Sequence, residues 1–454
     1  MVDVLLISPT FRGLLREPVG LYYLAGVLKS NQISADIVDF NIELPTRFGF
    51  HKYIKNIAPK IVGITAYTFN FSVAEKIVKE IKGINSSIIT VMGGVHASAL
   101  PEEILKNAPA LDFIVVGEGE FTFLELCRKI LDGETTENIK GLALKSGDQV
   151  VVNPPRELVI DLDDLPIPDR GLLPFQKYPV ASVQTSRGCP YNCIFCNINR
   201  FYGKKIRLRN PKKVVDECAI IVEKYKREKI FFFGDAFTFR SDWVVEFCDE
   251  ILRRGLKFIW GCETRVDNVS LPLLRKMNRA GCTEIQYGID YGDEAILRKL
   301  GKDISIESII NAVDWAKESG LSVGAFFIFN VPGEDRSTIE KTFQLIKRIQ
   351  PVPIEINLLT PYPGTAIWDD PERFDMRITE KNFDYYTTKK YVMENINFKR
   401  EDFVQEFKSL LKRLNLVPAP GYYPEIYDFL KKDIKLIVWK EEPLINKLLR
   451  LFRN

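Results

Sequence analysis

The sequence predicts an α/β protein made in two successive parts: a doubly wound parallel sheet over residues 1–135 and a partial (β/α)6 barrel over 181–370, followed by a helical segment over 371–454. Three observations predict it. Short β-branched runs alternate with amphipathic helical stretches along most of the chain, the pattern of parallel strands whose two faces are covered by helices. The alternation breaks once, between 136 and 180, where NPPREL and DLDDLPIPDR gather prolines and acids as an extended linker does. At 454 residues the chain also exceeds what one core holds and suits two or three domains.

In the first part VDVLLIS reads as a strand, VGLYYLAGVLKS as a helix and SADIVDF as the second strand, followed by a polar helix. IVGITAY, VAEKIVKEIKG, IITVMGG, PEEILKNA and DFIVVGEGE continue the alternation. This is a Rossmann-like pattern, and such sheets bind ligands beyond the carboxyl ends of their strands. The residues predicted there are small or flexible: Ser8, Thr65, Gly93, Gly94, Gly117, Glu118 and Gly119. Glycine lets a ligand approach the backbone closely, although it serves tight turns equally well.

The second series begins with the strand VASVQTSRG and a cysteine-rich loop. It continues through PKKVVDECAIIVEKYKRE, KIFFFGD, WVVEFCDEILRRG, FIWGCETR, LPLLRKMNRAG, EIQYGID, IESIINAVDWAKESG, SVGAFFIFNVPG, TIEKTFQLIKRI and IEINLLTPYPGT. About six strand-helix units fit a TIM-like partial barrel better than a second open sheet.

Composition narrows the class of function. The chain is 46% hydrophobic and 27% charged, and its 63 basic against 60 acidic residues leave a net charge of +3, which gives nucleic acid no electrostatic footing. The basic stretch GKKIRLRNPKK lacks interleaved aromatics, so an RNA partner is not expected. No apolar run reaches the roughly 20 residues that span a bilayer, and MVDVLLISPTF reads as a buried strand rather than an export signal. A cytoplasmic location is expected. Of eight cysteines, Cys127, Cys218, Cys248, Cys262 and Cys282 are scattered through apolar segments as small buried hydrophobes.

Cys189, Cys193 and Cys196 cluster in TSRGCPYNCIFCNINR, between a predicted strand and a predicted helix. Their thiolates would project at the carboxyl end of the first barrel strand, where barrel enzymes place their chemistry. Thiolates suit iron-sulfur clusters and zinc alike. Structural zinc normally takes four protein ligands; here there are three, and the only histidines in the chain are His51 and His96. Three thiolates on a four-iron cluster leave one iron open, as a catalytic cluster requires. The reading from a different class is a zinc-stapled interaction module, colourless under strict anaerobiosis.

The C-x3-C-x2-C spacing, with an aromatic before the third cysteine, resembles the motif of radical S-adenosylmethionine enzymes. That resemblance implies one 4Fe-4S cluster held by Cys189, Cys193 and Cys196, whose open iron chelates S-adenosylmethionine. One-electron cleavage of the sulfonium would then give a 5′-deoxyadenosyl radical. It implies Phe195 against the adenine, Gly234 and Asp235 of FFFGD near the methionine amino group, and Arg265 and Asp290 at the carboxylate and ribose. Gly-Asp replaces the commoner Gly-Glu, and Asp290 stands where relatives often have Glu. A strand-end polar residue capping the next helix is the structural alternative for these sites. FNVPGE and LLTPYPGT also resemble late strand ends of this family.

GITAYT, GGVHAS, PEEIL, VVGEGE, LDDLPIPDR and the cysteine loop, together spanning about 1–370, resemble radical enzymes with an amino-terminal cobalamin-binding domain. The resemblance implies cobalamin (vitamin B12) among Thr65, Gly93, Gly94, His96, Gly117, Glu118 and Gly119. It implies functionalisation of an unactivated carbon, foremost C-methyl transfer, with radical C–C bond formation or cyclisation on a lipid, isoprenoid or pigment as the alternative. The Asp-x-His-x-x-Gly pattern that supplies an axial histidine to cobalt is absent; His51 lies outside such a frame and reads as a surface residue. A methylthiotransferase would need three more early cysteines, and residues 1–188 hold only Cys127. The implied partners are a small-molecule or lipid substrate and a flavodoxin- or ferredoxin-type reductant. The carboxyl-terminal IYDFLKKDIKLIVWKEEPLINKLLRLFRN also has the spacing of an amphipathic helix at a membrane surface, or of a helix packed on the barrel.

Overall fold

A computed structural model describes residues 2–9, 16–42, 47–234 and 236–416. The chain divides into two compact units, residues 1–188 with 197–213 and residues 189–196 with 214–454.

The first unit is built on seven strands: β1 (Val4–Ser8), β2 (Ala35–Asp39), β3 (Ile61–Thr65), β4 (Ile89–Gly93), β5 (Phe113–Val115), β6 (Leu142–Ser146) and β7 (Gln149–Val152). Their order is β2-β1-β3-β4-β5-β6-β7. The first five are parallel, and β1 is buried along its whole length, as a strand covered on both faces must be. The helix Phe71–Ile84 places Ala74, Ile77, Val78 and Ile81 on one buried stripe. That stripe joins Leu5, Ile7, Val62, Ile64, Met92 and Ile114 in one core. Because the chain leaves β1 for β2 on one side and reaches β3 on the other, a topological switch point lies between β1 and β3.

Residues 136–180 depart from the expected linker. They hold β6 and β7, which pair antiparallel with each other and, through β6, with β5. Two short apolar runs about the Gly147 turn make a hairpin that extends the sheet. The same unit contains β8 (Ala181–Gln184), which leads toward the cysteine loop, and the short antiparallel pair β9 (Ser186–Arg187) and β10 (Arg207–Leu208).

Within the second unit, β11 (Lys229–Phe233), β12 (Ile259–Thr264), β13 (Cys282–Asp290), β14 (Ser322–Phe329) and β15 (Ile354–Leu358) run parallel in the order β15-β14-β13-β12-β11. With β8 they supply the six expected strands. On β13, Ile285, Tyr287 and Ile289 are buried, while the alternate residues Glu284, Gln286 and Gly288 are only partly buried. The buried set faces helices; the Tyr287 hydroxyl donates to the carbonyl of Ala312 in the helix Ile306–Glu318. A closed barrel would fill its other face with aliphatic layers. Here that face mixes Glu284 and Gln286 of β13 with Phe231 and Phe233 of β11 and Phe326 and Ile328 of β14, all only partly buried, as suits a partial barrel.

Among the described residues, the closing segment is helical only in part. β16 (Met376–Ile378) and β17 (Met393–Asn395) form an antiparallel ribbon before the helix Arg400–Arg413. Asn330 donates to the Met393 carbonyl (2.8 Å) and Asn395 to the Val331 carbonyl (3.0 Å), fixing the ribbon to the turn after β14. The scattered Cys127, Cys218, Cys248, Cys262 and Cys282 are all buried. The candidate amphipathic tail lies outside the described residues.

Candidate functional site

The loop Cys189–Cys196 packs within the second unit and is held from two sides. Ile194, itself buried, donates its N–H to the Leu300 carbonyl (3.1 Å), and its carbonyl accepts from the Ile367 N–H (3.1 Å). Gly301 approaches so closely, at φ +77°, that a Cβ there would lie 2.3 Å from the Asn192 oxygen. Pinned this way, the loop leaves Cys189, Cys193 and Cys196 partly exposed on one short segment and outside any disulfide. Burial pushes the Cys193 thiol up, while the cations of Lys302 and Arg265 pull it down. Three partly exposed thiols on one pinned loop have the donor chemistry of a cluster ligand set, since binding iron displaces the thiol protons, although among the described residues no three metal-binding side chains converge on one point.

Arg265 follows β12 and is 8% exposed. Its Nε and Nη2 donate to the Asp267 carboxylate at 2.9 and 2.8 Å, and its guanidinium lies 3.7 Å from the centroid of the Tyr191 ring. Its Nη1 is buried with no acceptor. Asp290 ends β13 in the left-handed region, φ +68°, where the register with β14 shifts. Its carboxylate pairs with Lys302, whose ammonium also donates to the Gly288 carbonyl; both side chains are 6% exposed. Phe195 is half-buried beside Cys196, and Gly234 is half-buried at the end of β11. Asp235 lies outside the described residues. Thus the second unit brings Arg265 and Asp290 to the electrostatic neighbourhood of Cys193.

In the first unit Thr65 and Gly93 end the neighbouring strands β3 and β4. Gly94 has φ +95°, and a Cβ there would meet the Ala66 oxygen at 2.8 Å, so its close approach to the end of β3 already requires a glycine. Gly117, at φ +80°, has open space where a Cβ would stand, and its N–H donates to Ser98 Oγ (3.0 Å). Two expectations need correction. His96 is 1% exposed, lies 3.2 Å by Nδ1 from Thr68 Oγ1, and packs its ring 4.6 Å from Phe71. Burial pushes its pKa down to about 4, making it a neutral core histidine rather than a residue of an open crevice. Glu118 is also committed: Arg187 (3.3 Å), Arg207 (2.9 Å) and the Val159 N–H (2.7 Å) surround its carboxylate. Gly119 is the N-cap of the helix Glu120–Asp132 and fits against Leu24 and Val115.

Sequence reasoning missed Tyr191, Asn268 and Lys302. Tyr191 lay in view inside the cysteine motif, but the partners that give it meaning come from distant strands. It also missed Tyr67 and Phe69 just beyond β3, whose rings stack at 5.7 Å and 9°, with Tyr67 44% exposed. A stacked aromatic pair at the switch-point edge, with Tyr67 exposed and Phe69 half-buried, suits a flat macrocyclic ligand. Arg207 and Arg209 of the basic stretch 203–213 are buried within the first unit. FNVPGE and LLTPYPGT do follow β14 and β15. Glu334 there is 2% exposed and accepts from the Tyr291 hydroxyl (2.9 Å) and the Asn330 N–H (2.8 Å). Burial pushes its carboxyl up to about 8.

Comparison with known proteins agrees with both halves of this picture. Residues 183–346 match the family model of the Radical SAM superfamily, and residues 12–127 match that of the B12 binding domain. An uncharacterized methyltransferase of Pyrococcus horikoshii is 34% identical over 85% of this chain and 84% of its own. The anaerobic magnesium-protoporphyrin IX monomethyl ester cyclase of Rubrivivax gelatinosus is 30% identical over 90% of this chain and 75% of its own. Among solved structures, the radical S-adenosylmethionine methyltransferase TsrM of Kitasatospora setae superposes with a TM-score of 0.79 at 17% identity, covering 99% of this chain and 98% of that one. The cobalamin-dependent radical enzyme OxsB superposes with a TM-score of 0.76 at 17% identity, covering 95% of this chain and 71% of that one. Likeness at that identity is likeness of fold.

Proposed function

The chain belongs to the radical SAM enzymes that carry an amino-terminal B12 binding domain, and on that premise we propose that it transfers a methyl group to an unactivated carbon of a small molecule. The observation that carries this reading is the joint presence, in one chain, of a pinned loop of three partly exposed thiols and a doubly wound sheet that carries a stacked aromatic pair just beyond β3. The 34% identical relative, itself called a methyltransferase, favours methyl transfer. The 30% identical cyclase keeps radical ring closure as the second reading.

In this proposal Cys189, Cys193 and Cys196 give their thiolates to the cluster. Arg265, held by Asp267, offers Nη1 to an anionic group beside it. Lys302 neutralises Asp290 and fixes its carboxylate at the strand end. Phe195 lies on the thiol loop next to Cys196, Gly234 follows β11, and Thr65, Gly93 and Gly117 lie at the carboxyl ends of strands of the first sheet. When bound, the cluster with S-adenosylmethionine supplies one-electron cleavage of a carbon–sulfur bond, and cobalamin supplies a transferable methyl group. The reductant is of flavodoxin or ferredoxin type. Among the described residues no helix is long and apolar enough to cross a membrane.

The test is anaerobic reconstitution with iron, sulfide and hydroxocobalamin, followed by metal analysis and incubation with methyl-deuterated S-adenosylmethionine and a reductant. About four irons and one cobalt per chain, with label recovered on the released cobalamin, is the expected result. Iron and cobalt without label transfer would favour ring closure. Iron without cobalt would overturn the methylase reading.

A further inference from the structure

Tyr191 sits inside the cysteine motif, yet its contacts lead to the turn after β12. Its ring supports the Arg265 guanidinium at 3.7 Å, and its hydroxyl donates to Asn268 Oδ1 at 3.0 Å. Phe239 meets the ring edge-on, with centroids 6.3 Å apart. Arg265 caps the 3-10 turn Val266–Asn268, so Tyr191 touches both ends of that turn. Arg265 spends two nitrogens on Asp267, and Asn268 spends its oxygen on Tyr191. One donor on each residue is then left over: Arg265 Nη1 and Asn268 Nδ2 are both buried with no acceptor.

Buried donors without acceptors are costly, and these include a guanidinium nitrogen, which calls for an anion. A carboxylate offers two acceptor oxygens, and a hydrogen bond from a charged donor is about twice as strong as a neutral one. Resting on the proposed function, we infer that Tyr191 is a positioning residue that locks Arg265 and Asn268 as a two-donor seat for the carboxylate of S-adenosylmethionine. Asn268 is the second donor. Through the Tyr191 side chain, the loop that carries the thiolates also sets where the carboxylate rests.

The inference is tested on the full chain, reconstituted anaerobically and reduced, by titrating S-adenosylmethionine against the cluster's electron paramagnetic resonance signal. The variants are Tyr191→Phe, Asn268→Ala and the double variant. Tyr191→Phe keeps the aromatic support under Arg265 and removes only the anchor on Asn268, so it retains the wild-type iron content. Each single variant is expected to weaken binding about tenfold, the order of one hydrogen bond to a charged group. The double variant is expected to be no weaker than either single, because both act through one contact. Decarboxylated S-adenosylmethionine binds all four proteins equally. Wild-type affinity in the single variants, additive losses in the double variant, or equal losses for the decarboxylated analogue would each overturn the inference. A wild-type protein that takes up iron but shows no response to S-adenosylmethionine would overturn the proposed function itself.

Discussion

Replacing Gly301 by alanine probes whether the cysteine loop is held as described. The residue has φ +77°, so any side chain pays about 1–2 kcal/mol for the left-handed conformation. The new Cβ would also lie 2.3 Å from the Asn192 oxygen and 3.2 Å from the Cys193 Cα. Those are backbone atoms, which no rotamer change can move aside, and forced overpacking of this kind adds about 1–3 kcal/mol. Asn192 is exposed, so the cheaper relief is to displace the loop and stretch the 3.1 Å bond from the Ile194 N–H to Leu300. The cost should therefore appear as lost cluster binding more than as global unfolding. Gly255→Ala is the control, since Gly255 has φ +65° with nothing within 4 Å and follows the helix Ser241–Arg254. Denaturant titration of the apoproteins should show both variants losing about 1–2 kcal/mol through the backbone term alone. Iron and sulfide per chain after reconstitution should stay at the wild-type level in Gly255→Ala and fall well below half of it in Gly301→Ala. Full iron in Gly301→Ala would refute the close approach.

Two further outcomes are expected. Arg170 and Glu17 form an ion pair at 3.0 Å with both side chains fully buried, so Arg170→Met should cost about 3–5 kcal/mol by stranding a buried carboxylate. The double variant Arg170→Met with Glu17→Gln should recover most of that in urea unfolding, and a double variant as unstable as the single would assign the cost to the bond that Arg170 also donates to the Ser182 carbonyl. His96 has a pKa of about 4 in the fold against 6.5 for a free histidine side chain, so its neutral form is the one that folds. The stability this gives is fully present above pH 6.5 and is lost as pH falls through 4, about 2 kcal/mol of it between pH 7 and pH 5. His96→Gln should flatten that slope in paired urea titrations at the two pH values, and an unchanged slope would place the titration elsewhere.

The parallel sheets were legible because buried parallel strands write themselves as unbroken apolar runs, as VLLIS and IVGIT do. The thiol loop was legible because its ligands are close in sequence. The hairpin β6–β7 was obscured by the prolines around it, since composition reports the neighbourhood and pairing is a property of two short strands. Glu118 and His96 stood at strand ends where a ligand residue would stand. Only the three-dimensional neighbours show that Arg187 and Arg207 claim the first and that Thr68 and Phe71 enclose the second. Lys302 and Asn268 acquire their roles from partners 12 and 77 residues away, a separation that no local pattern encodes.

The order in which the chain visits its two units bears on any attempt to separate them. Residues 189–196 belong to the second unit, yet 197–213 return to the first before the chain leaves it for good. No single cut divides the protein into its parts. A truncation ending near residue 180, which the prolines between 154 and 174 invite, would remove Arg187 and Arg207 and leave Glu118 and Glu120 as buried acids stripped of the cations that now surround them. The amino-terminal unit is thus completed by sequence that lies beyond the cysteines, and a fragment that stops before them should fail to fold where a pair of co-expressed pieces split after residue 213 can succeed.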